Sequence, residues 1–522
     1  MKQKEVFLLW LGGLLIYLGI AKFQTSPGYM DSEYYYVTAQ EIFAGKGFVE
    51  PFIWNYLNNP SPIPAPSHLY WMPLTSLLAY LGMLVGKSST WLWGRMPFIL
   101  LASLISPWTY SLSWKLTQKH TTSLFAGMMA LFPGFYTAYL ATTDTFALSM
   151  FLGCGWILIT QKALQKSGIW IFLAGMFSGL LHFSRADGLV WLVLCSGFGL
   201  WECYRAHAPI SRYLQWIILP LGGYLIIMGG WYYRNWELFQ AFFPPGNQRT
   251  LWLRNYNDLF SYPPERLNFS YWWQNGLILN LKDRLYSSGQ NLLTFIAVEG
   301  EIFLSALILI GAWGYRSKII SKLIWIPWLA LFFLMSLIFP YAGYRGGFFH
   351  ASAAFQPFFW IFSGVGFERF LDWGNLVRHW NKAQSRRIFY WAGIILAFSF
   401  TMLVTTQRVI GNSWEKPLWN ESQRFYSQLC SKVDFSNNTE NKAVLVNNPV
   451  GFYLVCKKNA LAIPVGGVNA VKQVAQKYGA EWLILEENHP PEIDQYYFFP
   501  QDFDGFHLLE NEQTWKIYQF IR

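Results

Sequence analysis

Long apolar runs separated by short polar turns dominate the chain. Runs such as 169–183 and 388–406 approach or reach the roughly 20 residues that a helix needs to cross a bilayer. The pattern predicts eleven such helices, at residues 6–21, 96–114, 122–141, 145–161, 168–184, 187–202, 213–231, 291–313, 323–340, 348–368 and 388–406. We therefore expect a mainly α-helical, polytopic membrane protein.

The positions of lysine and arginine indicate how these helices are oriented across the membrane, because the cytoplasmic loops of membrane proteins are enriched in both residues. Lys2 and Lys4 precede the first helix, and the strongest later basic cluster, at 369–387, lies between the last two helices. With eleven crossings, the membrane domain covers residues 1–406 and has large outer loops at 22–95 and 232–290. Residues 407–522 then form an outer domain.

The apolar run at 69–86 needs a separate decision. Counting it as a twelfth crossing would place Lys115 and Lys119 on the outer side, against the charge rule. The run also contains Pro73, which interrupts a helix. We therefore expect a proline-broken helix that lies along the outer membrane interface.

The C-terminal part of the chain has a different pattern of apolar and polar residues. Residues 443–446 and 482–485 read as short buried strands, and apolar positions between 468 and 478 follow helical spacing that ends at Gly479. This pattern predicts a small α/β domain. Its two cysteines, Cys430 and Cys456, could pair in an oxidising compartment or stay unpaired in the core.

Composition excludes several classes of function. The chain has 53% hydrophobic and only 13% charged residues with a net charge of +10, and its basic residues cluster between apolar runs rather than along one helix face. Neither a soluble enzyme nor a nucleic-acid-binding protein is expected. No His/Cys cluster has zinc-ligand spacing, and no Walker or dinucleotide-binding loop follows a strand.

Three acidic residues next to predicted membrane helices are candidates for chemistry, because carboxylates are costly there. Asp31 and Glu33 follow the first helix, and Asp144 lies at the next outer turn. Each also has a structural interpretation. Asp31 would cap a helix that begins at Ser32, Glu33 would complement its dipole, and Asp144 would cap the helix that begins at Thr145.

Four arginines reach the same side of the membrane, and the planar guanidinium suits phosphate. They are Arg95, Arg185, Arg234 and Arg345. Arg185 could instead form a structural ion pair with Asp187, and His350 could be a packed histidine at a helix end. The topology thus predicts an outward-facing cavity that contains acids and arginines, which suits a lipid-linked phosphate substrate.

This arrangement resembles the C-type membrane glycosyltransferases, in particular the protein mannosyltransferase and aminoarabinose transferase group. The matching features follow the same order along most of the chain: the acidic segment 31–33 with the aromatic helix 34–40, the histidine segment 67–74, Arg95, Asp144, the Arg-x-Asp-Gly turn 185–188, Arg234-Asn235 and the C-terminal α/β domain. Two features depart from the group, since Ser32 separates the acidic pair and Trp71-Met72-Pro73 replaces a double proline.

The resemblance implies sugar transfer, with inversion, from a polyprenyl-phosphate sugar to a lipid, glycan or protein acceptor outside the cytoplasmic membrane of a bacterium. It implies Asp31 as the base, while Glu33 and Asp144 would either position acceptor or sugar or hold a divalent ion such as Mg²⁺ or Mn²⁺. Members of the group differ in metal use, and Asp31 and Asp144 are the candidate metal ligands. The four arginines would bind the donor phosphate, and Tyr34, His68 and His350 would position substrate. A ligase or polymerase that uses a diphosphate-linked donor, and a transporter or flippase, stay open as alternatives.

Overall fold

Helices make up most of the structure, a computed structural model that describes residues 2–60, 63–166, 168–432 and 442–521. The helices up to residue 405 are α1 (Gln3–Ala21), α2 (Met30–Phe43), α3 (Leu74–Gly86), α4 (Trp91–Thr117), α5 (His120–Leu131), α6 (Thr145–Gln165), α7 (Ile169–Ser184), α8 (Leu189–Arg205), α9 (Ile210–Phe239), α10 (Gly246–Arg249), α11 (Phe269–Gln274), α12 (Leu277–Thr294), α13 (Ser305–Gly314), α14 (Ile319–Phe333), α15 (Pro340–Ala342), α16 (Phe348–Ser352), α17 (Gln356–Arg378) and α18 (Lys382–Thr405).

Six helical segments in the described part of the chain are long and apolar enough to cross a membrane. They are Gln3–Ala21, Thr145–Gln165, Ala186–Arg205, Ile210–Phe239, Ile319–Ile338 and Lys382–Ile410. This confirms the expected polytopic helical membrane protein, whereas the total of eleven crossings stays a prediction. The helix expected within 69–86 is also present, since α3 begins directly after Pro73.

Two of the expected membrane helices are interrupted. The run 122–141 is helical only to Leu131, after which Pro133 leads into a 3₁₀ turn. The run 291–313 passes from α12 into a π-helical turn, Phe295–Glu299, and unwinds before α13 begins at Ser305. The side-chain amide of Gln356 donates to the backbone oxygen of Glu299 at 2.9 Å, so the neighbouring α17 satisfies part of the interrupted backbone.

A sheet of six strands forms the centre of the C-terminal α/β domain. The strands of the chain are β1 (Val49–Glu50), β2 (Phe52–Ile53), β3 (Ala65–Pro66), β4 (Ala443–Val446), β5 (Ala460–Ala462), β6 (Ala480–Glu486), β7 (Phe506–Asn511) and β8 (Trp515–Phe520), and the helices are α19 (Glu421–Lys432), α20 (Pro449–Cys456), α21 (Gly467–Tyr478) and α22 (Asp494–Phe498). The sheet order is β2-β5-β4-β6-β8-β7.

The strands and the helix expected in this segment are confirmed, including the end of α21 at Gly479, which adopts a left-handed conformation with φ of 66°. Cys430 and Cys456, whose pairing the sequence left open, form a disulfide that joins α19 to the end of α20. The α/β domain is thus closed by a covalent link between two of its helices.

One strand of this sheet comes from the first outer loop. Phe52 and Ile53 of β2 pair in parallel with Ala460 and Leu461 of β5, and all four residues are buried. The sheet therefore joins the predicted loop 22–95 to the predicted outer domain 407–522. The sequence did not predict this pairing, because β2 is only two residues long.

A hydrogen bond between α2 and the start of α20 strengthens the same junction. Asn448 Nδ2 donates to Glu33 Oε2 at 2.8 Å, while Asn448 Oδ1 accepts from the backbone N–H of Gly451 at 3.0 Å and caps α20. A Cβ at Gly451 would lie 3.0 Å from Glu33 Oε2. It would also lie 2.6 Å from Asn448 Nδ2, so a side chain at this position would displace the Asn448–Glu33 contact.

Replacing Asn448 by alanine should destabilise the protein by about 1–3 kcal/mol, because the buried Glu33 carboxylate loses a hydrogen-bond donor and α20 loses its cap. The measurement is the apparent melting temperature in detergent. Asn511→Ala, at an exposed position, is the control. Equal melting temperatures for the two variants would show that the contact adds nothing to stability.

Candidate active site

A cavity of about 270 Å³ lies where the two predicted outer loops meet the interrupted end of α14. Its walls come from seven parts of the chain: α2, Trp54, the aromatic segment 70–72, the turn at 144–145, the turn at 185–187, the irregular segment between 247 and 259, and the segment 335–350. Segments that are far apart in the sequence thus meet around one space.

Asp31, Asp144 and His350 form the polar centre of this cavity. His350 Nε2 lies 3.6 Å from Asp31 Oδ2, and His350 Nδ1 lies 3.3 Å from Asp144 Oδ1. One potential ligand atom from each of the three side chains falls within 4.8 Å of the other two. Two carboxylates and one imidazole at this spacing form a donor set that fits a divalent cation.

Asp144 is held rigidly. Its carboxylate accepts from the backbone N–H of Thr145 at 2.5 Å, so the expected N-cap of α6 is confirmed, and it also accepts from the Tyr29 hydroxyl at 2.5 Å. Burial raises the pKa of this carboxyl, but His350 and these hydrogen bonds outweigh burial and hold the pKa below its usual value. Asp144 is therefore a buried, ionised carboxylate with a fixed orientation.

Asp31 is the accessible carboxylate of the cluster. Its side chain is 31% exposed, whereas that of Asp144 is 0% exposed. The expectation that Asp31 caps a helix starting at Ser32 is wrong, because α2 begins at Met30 and its N-cap residue is Tyr29. Asp31 lies instead in the first turn, and burial together with the charge of Asp144 raises its pKa to about 6.

His350 reaches the cluster because the chain before it is not a regular helix. After the π-helical turn Leu334–Ile338, the backbone bends again at Arg345 and Gly346, where Gly346 has a φ of 120° that strongly favours glycine. Two bends within one segment turn both Arg345 and His350 toward the cavity.

The polar side of α12 supports this bent segment. Ser287 donates to the backbone oxygen of Pro340 at 3.0 Å, and the Asn291 amide donates to the Ser336 hydroxyl at 2.9 Å. The opposite side of α12 presents exposed leucines such as Leu285. The helix thus places its polar side chains inward, where a broken backbone needs partners.

Two of the four candidate arginines line the cavity. Arg185 forms an ion pair with Asp187, Nη2 to Oδ2 at 2.7 Å, and donates to the backbone oxygen of Gly347 at 3.1 Å. The structural ion pair weighed for Arg185 is therefore present. Arg345 stacks 4.8 Å from the ring of Tyr256 and forms no ion pair with a carboxylate of the described residues, which leaves its charge open to a ligand.

The other two arginines hold loops together outside the cavity lining. Arg95 is buried and donates to the backbone oxygens of Gln24 at 2.6 Å and Ala141 at 3.2 Å. Arg234 donates to the backbone oxygen of Ser67 at 2.8 Å. Arg95 fixes the turn just before Asp144, so its contact supports the cluster indirectly.

Glu33, Tyr34 and His68 also lie outside the cavity lining. Glu33 points to Asn448, and Tyr34 donates to Glu50 Oε2 at 2.7 Å. His68 contacts the hydroxyl of Ser76 at 2.9 Å, and its burial lowers its pKa well below the usual value, so it is neutral. Tyr34 and His68 contact each other, since the backbone N–H of His68 donates to the Tyr34 hydroxyl at 2.6 Å.

Sequence reasoning missed several neutral residues of the cavity wall, among them Tyr35, Tyr70, Tyr256 and Asn247. Helical spacing offered a signal for Tyr35, which is four residues after Asp31 and so shares its helix face, whereas Glu33 is two residues on and does not. Asn247 and Tyr256 lie in the irregular second outer loop, where no periodicity identifies the inward side.

No protein-family model and no curated protein sequence matches the chain. Several solved structures are similar to the chain. ArnT from Cupriavidus metallidurans bound to undecaprenyl phosphate has a TM-score of 0.59 at 12% identity, covering 99% of this chain and 98% of that one. The archaeal oligosaccharyltransferase AglB from Archaeoglobus fulgidus, in complex with an inhibitory peptide and a dolichol-phosphate, has a TM-score of 0.57 at 12% identity, covering 94% of this chain and 70% of that one.

A further structure of the A. fulgidus oligosaccharyltransferase, in complex with Zn and sulfate, has a TM-score of 0.59 at 12% identity, with coverage of 94% and 69%. At this level of identity the similarity concerns the fold. The fold that the sequence motifs implied is therefore confirmed: the chain has the fold of the C-type membrane glycosyltransferases.

Proposed function

We propose that the protein is a glycosyltransferase that moves a sugar, with inversion, from a polyprenyl-phosphate donor to an acceptor hydroxyl at the outer face of the membrane. The observation that carries the proposal is the accessible Asp31 carboxylate in the same cavity as Arg345, an arginine with no ion-pair partner among the described residues. A base for the acceptor and a cation for the leaving phosphate thus line one cavity. The fold shared with ArnT and AglB supports the same reaction class.

The transfer is a single displacement. The acceptor oxygen attacks the anomeric carbon and forms the new glycosidic bond, while Asp31 takes the hydroxyl proton. The bond from the anomeric carbon to the phosphate oxygen breaks on the opposite face, and its electron pair leaves with the phosphate. Arg345 stabilises the charge that grows on this phosphate. Arg185, already paired with Asp187, adds a smaller contribution.

Asp31, Asp144 and His350 would hold a divalent cation, since their ligand atoms form a compact set of two oxygens and one nitrogen. Such an ion would supply positive charge that holds the phosphate or the acceptor hydroxyl near the reacting carbon. Asp144 suits the holding role because it is inaccessible and fixed by Tyr29 and Thr145.

We place the cavity and the C-terminal domain outside the cytoplasm, in the cytoplasmic membrane of a bacterium. The distribution of basic residues supports this orientation. The disulfide between Cys430 and Cys456 supports it independently, because disulfides persist in oxidising compartments.

Replacing Asp31 by asparagine should reduce transfer at least a hundredfold, because the amide cannot take the acceptor proton. The assay follows release of polyprenyl phosphate from a polyprenyl-phosphate hexose by mass spectrometry, with a bacterial membrane lipid extract as acceptor. Asp504→Asn, at an exposed position of the C-terminal domain, is the control. Full activity of the Asp31 variant, with an unchanged melting temperature, would reject Asp31 as the base.

Replacing Arg345 by alanine should weaken binding of sugar-free undecaprenyl phosphate about tenfold or more, because a charged hydrogen bond to phosphate is lost. Arg345→Lys keeps the positive charge but lacks the planar guanidinium group. Its affinity should therefore lie between those of the wild-type protein and Arg345→Ala. Titration in detergent measures the dissociation constants. Arg316→Ala, at an exposed position in a predicted cytoplasmic turn, is the control, and equal affinities for all four proteins would exclude Arg345 as the phosphate ligand.

The purified protein should bind one Mn²⁺, and Asp144→Asn should weaken that binding at least tenfold, since it removes one of the three ligand groups. Electron paramagnetic resonance of the free ion measures the bound fraction. Asp283→Asn, a change outside the cluster, controls for general effects of lost negative charge. If the wild-type protein does not bind Mn²⁺, the proposed metal site is wrong. The role of Asp31 as the base is tested separately by Asp31→Asn.

A further inference from the structure

Part of the cavity wall consists of uncharged hydrogen-bonding groups that the proposed transfer does not use. These are the hydroxyls of Tyr35, Tyr70 and Tyr256 and the side-chain amide of Asn247. We call these four residues the neutral wall. They come from α2, from the segment after β3 and from the second outer loop, so three separate parts of the chain contribute them.

The hydroxyls of the neutral wall make no hydrogen bond to any residue that the structure describes. Neighbouring tyrosines behave differently, because Tyr29 donates to Asp144, Tyr34 donates to Glu50 and Tyr341 donates to Asp283. Polar groups in protein interiors are nearly always hydrogen-bonded, so open hydroxyls in a cavity have partners that a ligand or water supplies.

The three open hydroxyls belong to residues that line the same cavity as the proposed base. Burial raises the pKa of the Tyr35, Tyr70 and Tyr256 hydroxyls, and the negative charge of Asp31 raises each of them further. Tyr70 and Tyr256 also pack against one apolar cluster, which includes Leu259 of the cavity wall. A ligand that contacts the neutral wall is therefore next to the carboxylate that takes the acceptor proton.

The charged groups of the cavity, by contrast, already have roles. Asp187 is paired with Arg185, and Asp31 and Asp144 face His350. Arg345 is the cation proposed for the donor phosphate. No carboxylate is left among the described cavity residues to pair with an ammonium group, and no second unpaired arginine is left to pair with another carboxylate.

We propose that the neutral wall is the subsite for the transferred sugar and that this sugar is uncharged, a hexose or pentose with hydroxyl groups, rather than an amino sugar or a uronic acid. Phenol hydroxyls and an amide match sugar hydroxyls as donors and acceptors. They cannot compensate for the desolvation of an ammonium or carboxylate group. The inference rests on the proposed function and names its substrate class.

The test uses three donors on one lipid, polyprenyl-phosphate glucose, glucosamine with a free amine, and glucuronic acid, with the membrane lipid extract as acceptor. Wild-type protein should transfer glucose with a kcat/KM at least tenfold above that of the other two. Faster transfer of glucosamine or glucuronic acid would overturn the subsite while leaving the proposed function intact. Absence of transfer from every donor, together with no binding of sugar-free undecaprenyl phosphate, would overturn both.

Variants of the neutral wall separate sugar recognition from lipid binding. Tyr70→Phe and Asn247→Ala should each lower kcat/KM for the glucose donor about tenfold, the effect of one lost hydrogen bond to a sugar hydroxyl, without changing the affinity for sugar-free undecaprenyl phosphate. Asn247→Asp should shift the donor preference toward glucosamine, because the added carboxylate can pair with the ammonium group of that sugar. Tyr286→Phe, at an exposed position on α12, is the matched control, and equal effects of Tyr286→Phe and Tyr70→Phe would contradict the assignment.

Discussion

The contact of His350 with two carboxylates is the interaction on which the cavity depends. Asp31 belongs to the first outer loop, Asp144 to the start of α6 and His350 to the segment after α14, and the imidazole lies within 3.6 Å of both acids. Two carboxylates this close repel each other, so a shared partner between them stabilises the pair. Moving any of these three segments would separate that partner from one acid and open the cavity.

Holding those segments in place requires breaks in apolar helices, and a broken backbone among apolar neighbours needs hydrogen-bond partners. The chain meets this constraint with neighbouring side chains: Ser287 and Asn291 of α12 at the bent segment, and Gln356 at the π-helical turn before α13. Arg95 does the same for the turn before Asp144. Polar residues that look misplaced in apolar helices therefore support the geometry of the cavity.

The sequence predicts the helical membrane class, the α/β tail and the Asp31, Asp144, Arg185, Arg345 and His350 part of the cavity, because apolar length, charge and turn position are local signals. It does not show that Arg345 lines the cavity whereas Arg95 does not, since both residues precede a helix. Only packing shows that Arg95 binds backbone oxygens. It also misses Asn247 and Tyr256, which reach the cavity through irregular backbone. Local pattern identifies which residues are candidates, and long-range packing decides which of them line the cavity.

The two-residue strand β2 sets an order for assembly. Its partner β5 lies about four hundred residues later, so the loop that carries Asp31 cannot complete its edge of the sheet until nearly the whole chain has been synthesised. Contacts between such distant parts form late, because a long loop must close first. The loop that carries Asp31 therefore completes its edge of the sheet only after β5 has formed, and a chain truncated before residue 460 would lack the strand that pairs with β2.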